Sequence, residues 1–138
     1  VSTNGVLPLT EVRGQAAAAL APAGDDDPEV FVDVVDAVTP PAILLAWDDP
    51  WLEPQQNVAG CWHFANLAVL CVAGRLEPGP GIQTLEQMAG YVIERLRADD
   101  YNWPQASSQA PREFRIGDVP YLGARVIYRI PVTTQGGP

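Results

Sequence analysis

The stretch Cys61-Trp62-His63-Phe64-Ala65-Asn66-Leu67-Ala68-Val69-Leu70-Cys71-Val72-Ala73 governs how the chain is read. Strand alternation puts Cys61, His63, Ala65, Leu67, Val69 and Cys71 on one face, and Trp62, Phe64, Asn66, Ala68, Leu70 and Val72 on the other. Both faces are mostly apolar, the pattern of a central strand covered on two sides rather than one that borders water.

On the N-terminal side, residues 42–47 (AILLAW) have the length of a buried strand. Thr39-Pro40-Pro41 precedes them, and proline holds its predecessor in extended geometry. Residues 48–54 read as a loop, and residues 30–38 (VFVDVVDAV) fit a strand or a short helix. Residues 9–21 read as a helix, with Leu9, Val12, Ala16, Ala19 and Leu20 on one stripe and a Pro22-Ala23-Gly24 stop.

On the C-terminal side, Ile82, Leu85, Met88 or Ala89, Val92 and Leu96 form the apolar stripe of a helix over residues 82–98. Residues 99–111 are polar and read as a loop. Residues 113–117 and 122–132 read as a hairpin across Asp118-Val119-Pro120-Tyr121. The expectation is one α+β domain over residues 1–138: two helices packed on a mainly antiparallel four-stranded sheet. An extended N-terminal segment precedes it, with a core over residues 7–133 and a frayed tail at 134–138.

A chain of 138 residues has room for one core. Its net charge is −9, and all eight basic residues are arginine, which disfavours a generic nucleic-acid binder or an anionic membrane surface. No apolar run reaches the length of a membrane span, and residues 1–5 lack the features of a signal peptide. Two cysteines are too few for a disulfide framework, so folding in a reducing cytoplasm is expected.

Catalytic chemistry finds little to stand on. Cys61 and His63 share a strand face, but zinc needs at least three protein ligands. No nucleophile elbow is present, and Gly79-Pro80-Gly81 is a tight turn rather than a phosphate cradle. Asp48, Asp49 and Glu53, or Asp25, Asp26 and Asp27, lack the ligand spacing of a calcium loop and read as solvated charge. The reading is therefore no catalytic residue, no cofactor and no metal, with a small enzyme or ligand-binding domain near His63 and Trp62 as the alternative from another class.

Two features point to assembly. Residues 1–53 hold ten acidic residues and a single basic one, Arg13, so the whole net charge lies in the first part of the chain. Such asymmetry suits a contact in which one patch meets a different patch on the next copy. Apolar residues also exceed what two helices can cover, and loop tryptophans such as Trp51 and Trp103 suit interface anchors.

The helix Leu9-Thr10-Glu11-Val12-Arg13, the acidic turn, Thr39-Pro40-Pro41-Ala42-Ile43-Leu44-Leu45, the long apolar strand, the helix over 81–96 and the closing Tyr121-Leu122-Gly123-Ala124-Arg125-Val126 make an ordered pattern. It resembles the tail terminator proteins of long-tailed (siphovirus-type) phages, especially those infecting actinobacteria, over roughly residues 7–133. The resemblance implies a non-enzymatic virion subunit forming a hexameric ring at the head-proximal end of the tail. That ring would stop polymerisation of the tail tube protein and dock the head completion (neck) proteins, after assembly in the host cytoplasm. A neighbouring head–tail connector, neck or minor tail protein is the alternative. Under this reading Trp51, Trp103, Arg125, Arg129, Asp48 and Asp49 are interface candidates, with Arg125 and Arg129 meeting the acidic half of the adjacent subunit. Asp25, Asp26 and Asp27 are candidates to line a channel through which DNA passes without specific binding.

Overall fold

A computed structural model describes residues 7–22, 24, 28–32, 41–54, 62–75, 80–99, 101 and 103–133. In chain order the elements are β1 (Leu7–Pro8), a 3-10 turn (Leu9–Glu11), α1 (Val12–Leu20), β2 (Glu29–Phe31), β3 (Ala42–Pro54), β4 (Trp62–Arg75), α2 (Pro80–Ala98), β5 (Gln105–Ser108), β6 (Arg112–Ile116) and β7 (Val119–Thr133).

The sheet is built around β7. One edge of β7 pairs antiparallel with β4 from Tyr121 to Thr133. Its other edge is shared by three short strands: β6 pairs with Val119 to Gly123, β5 with Val126 to Tyr128, and β1 with Val132 and Thr133. Beyond β4 lies antiparallel β3, and β2 runs parallel to β3 at the far edge. Two prolines fit because of this sharing. Pro120 pairs with β6 at a level β4 does not reach, and Pro131 pairs with β4 in the gap between β5 and β1. Neither proline needs a second ladder on its amide side.

The expectation of two helices on a four-stranded, mainly antiparallel sheet is therefore corrected. The sheet is mixed and seven-stranded, and 55% of the described residues are strand. Three local causes account for the difference. Residues 48–54 belong to β3, which continues through a bulge between Trp47 and Leu52 despite its acidic and proline residues. Gln105–Ser108, exposed throughout and without apolar alternation, is a strand held only by its backbone ladder to β7. Leu7–Pro8 and Glu29–Phe31 add short parallel pairings on the two sides. Of the ambiguous segment 30–38, Val30 and Phe31 are strand, and residues 33–38 lie outside the described residues. The tail at 134–138 does so as well.

The helices form where the apolar stripes put them. In α1, Val12, Ala16 and Leu20 are buried at four-residue steps. In α2, Leu85, Met88, Val92 and Leu96 are buried. They pack on the β4 face of Ala65, Leu67, Val69 and Cys71 and the β7 face of Ala124, Val126, Tyr128 and Ile130. Each fully buried Leu or Val there contributes roughly 1.5–3 kcal/mol. The helices also hold each other. Tyr91 donates its hydroxyl to the Leu20 carbonyl at 2.8 Å, and Arg95 donates to the Ala21 carbonyl, satisfying acceptors that the end of α1 leaves open. No described helix is long and apolar enough to cross a membrane.

The hairpin is tighter than expected. The turn is Gly117-Asp118, and β7 already begins at Val119. Gly117 has φ 62°, which glycine adopts without steric cost. Further along β7, a Cβ on Gly123 would meet the Cys71 carbonyl oxygen and the Phe114 ring at 2.9 Å, so the backbone approach there requires glycine.

Burial acts on three titratable groups of the core. It pushes the Cys71 thiol up from 9.0 to about 12. It does the same to the phenols of Tyr101 and Tyr128, from 10.0 to about 12; for Tyr128 a smaller upward push from Cys71 outweighs an opposing effect of Arg97. The folded chain keeps these protons where an unfolded chain loses them, so stability is intact below about pH 9 and falls between about pH 9 and about pH 12. Urea midpoints measured across that range should decline from about pH 9; a midpoint unchanged up to about pH 11 would contradict the burial of these groups.

Candidate interaction surface

The sheet face opposite the helices is where the sequence's polar outliers meet. Along β7 this face carries Arg125, Ile127, Arg129 and Pro131, paired with Leu70, Ala68, Asn66 and Phe64 of β4. Among the described residues no helix covers it. A smaller apolar cluster of Ala42, Val72, Ile116 and Tyr121 fills one end, flanked by half-buried Phe31, Leu44, Leu70 and Val119.

Polar contacts close the middle. Arg125 places Nη1 3.1 Å from Asp48 Oδ1. It also donates from Nε and Nη2 to Gln109 Oε1 at 2.9 and 2.6 Å. Arg129 donates to Glu53 Oε1 at 3.4 Å, and its guanidinium lies 4.1 Å from the Phe64 ring centroid. Asn66, only 7% exposed, donates Nδ2 to the Pro50 carbonyl at 2.9 Å and to Glu53 Oε2 at 2.6 Å. One buried amide thus fastens the β3 bulge, and the residue that follows its return to the ladder, to β4. The Phe114 ring extends the row, with Arg112 over it at 4.4 Å and Arg125 at 5.8 Å.

These contacts bear on several expectations. Arg125 and Arg129 do meet the acidic first half, but within the same chain, through Asp48 and Glu53. Within one chain both arginines thus already have carboxylate partners, at 3.1 Å for Arg125 and 3.4 Å for Arg129. Trp103, an interface candidate from the sequence, is buried within the chain. It is 5% exposed, packs edge-on against Tyr101 at 4.7 Å, and donates Nε1 to Asp99 Oδ2 at 2.9 Å. A tryptophan in a polar stretch reads as exposed; the Asp99–Trp103 spacing was the available hint. Trp51 is the exposed ring, at 48%, and stacks tilted against Trp47 at 5.9 Å. Asp49 is exposed beside it. Asp25, Asp26 and Asp27 lie outside the described residues.

Sites for chemistry stay sparse among the described residues. His63 is half-buried, with Nδ1 lacking a hydrogen-bond partner. No group of three or more metal-ligating side chains occurs among the described residues. Cys71 is free and buried, and Cys61 lies outside the described residues. A depression lined by Glu11, Gly14, Gln15 and Ala18 is open to solvent on α1, away from the sheet's polar row. No protein-family model matches the chain, and no curated protein does either.

The two arginines differ in shielding. The Arg125 and Asp48 side chains are 23% and 20% exposed, those of Arg129 and Glu53 46% and 36%. Arg125→Ala leaves Asp48 and Gln109 without their partner and should cost about 1–3 kcal/mol, whereas the water-screened Arg129→Ala should cost less than about 1 kcal/mol. Urea unfolding of the two variants checks this order; equal losses, or a larger one for Arg129→Ala, would contradict it.

Proposed function

We propose that the chain is a non-catalytic assembly subunit of a virion: a tail terminator that forms a ring at the head-proximal end of the tail, halts the tube and docks the neck. The observation that carries this reading is the exposure of both lateral edges of one sheet. On one side, β3 has an outer partner only along Ala42 to Leu44; its remainder, with exposed Ala46, Asp49, Trp51 and Pro54, has none among the described residues. On the other side, β5 and β6 present exposed Gln105 to Ser108 and exposed Arg112, Glu113 and Arg115. Two different patches at opposite edges suit head-to-tail association, which closes into a ring when the rotation permits.

Electrostatics supports the same reading. A net charge of −9 per copy gives an oligomer a strongly negative field, which keeps DNA from adhering as it passes. The resemblance of the sequence pattern over residues 7–133 to tail terminators supports the same reading.

Inactivation of the gene followed by electron microscopy of the lysate tests the proposal. Loss of a terminator should give tail tubes of uncontrolled, excessive length without heads. Tails of normal length beside tailless heads would instead assign the chain to the neck, and intact infectious virions would remove it from the assembly line altogether.

A further inference from the structure

The internal ion pairs change which arginines are left for a partner. Arg125 and Arg129 are engaged with Asp48 and Glu53, and Arg115 with Glu113 at 3.3 Å. Arg112, exposed on β6, has no carboxylate partner among the described residues; its guanidinium rests on the Phe114 ring at 4.4 Å. At the opposite edge of the sheet, exposed Asp49 likewise has no cationic partner among the described residues, and it stands two positions from the half-exposed ring of Trp51.

We infer that copies of this chain join head to tail, the Asp49–Trp51 corner of β3 in one copy docking on the Arg112–Phe114 ridge of β6 in the next. The inference rests on the assembly reading above and names its contact. Three facts converge on a second copy as the occupant. The unpaired charges are opposite in sign. They lie on opposite edges of one sheet, β3 at one side and β6 at the other, so the contact is heterologous and leaves a joined pair of copies with one unused patch of each kind. Each charge sits beside an aromatic ring, Trp51 or Phe114, which gives the contact apolar area to bury and a face for the guanidinium to stack on.

Charge reversal tests the contact by sedimentation of the full chain. Asp49→Arg and Arg112→Glu each bring like charges together at every interface and should weaken association at least about tenfold. Both positions are exposed and outside ion pairs, so both variants should keep the wild-type circular dichroism and melting temperature. Mixing the two variants is the decisive arm. In an alternating ring each introduced residue faces its opposite charge, so the mixture should assemble although neither variant does alone. If the wild type assembles and both single variants assemble as well as it does, the proposed contact is overturned while the assembly reading stands. If both variants dissociate and their mixture stays dissociated, the pairing of these two residues is overturned. A wild-type chain that stays monomeric up to millimolar concentration would sink the assembly reading and the contact together.

Discussion

The ion pair between Arg125 and Asp48 joins the two halves of this chain across the sheet face that no described helix covers. The strands in the middle of the sheet are apolar on both faces, and the two helices cover one of them. On the other face Ala68 and Ile127 are nearly inaccessible although the cover is mostly polar. Arginine makes such a cover workable. Its planar guanidinium meets the Asp48 carboxylate and the Gln109 amide oxygen together. Asn66 adds the second clamp by fixing the β3 bulge at Pro50 and the strand just beyond it at Glu53.

That arrangement recasts the charge asymmetry of the sequence. The acidic residues of the first half fall into two groups among those described. Asp48 and Glu53 work inside the fold, neutralising arginines of β7. Glu11, Glu29 and Asp49 are exposed and keep the field of the first half negative. Counting acids against arginines along the chain could not separate these roles, because the separation depends on which strand lies next to which. The same holds for the tryptophans. Trp103 and Trp51 both sit in polar surroundings in the sequence, and only the packing of Tyr101 and the bond to Asp99 distinguishes the buried one.

Where local pattern and burial coincide, the sequence was legible. The stripe Leu85, Met88, Val92, Leu96 marks α2 because a helix buries one side only, and the two apolar faces of β4 mark a strand inside the sheet. The helix over 9–21 appears as a 3-10 turn followed by α1. Strands that bury little were illegible. Gln105–Ser108 has no buried residue to impose a period of two, and Asp48 to Pro54 carries the composition of a turn while the ladder to β4 resumes beyond the bulge. The parallel pairings of β1 and β2 span two and three residues, too few for any pattern to register. Of the candidate site, Trp51 and Asp49 were legible as exposed features, whereas the engagement of Arg125 and Arg129 within the chain was not.

The account turns on charge pairing inside one molecule, and a double-mutant cycle between Asp48 and Arg125 measures that directly. Asp48→Ala, Arg125→Ala and the double variant are unfolded in urea at several dilute protein concentrations. The account predicts a coupling free energy of about 1 kcal/mol, the same at every concentration, because both partners belong to one chain. A coupling near zero, or one that appears only as concentration rises, would contradict it and return these residues to a contact between copies.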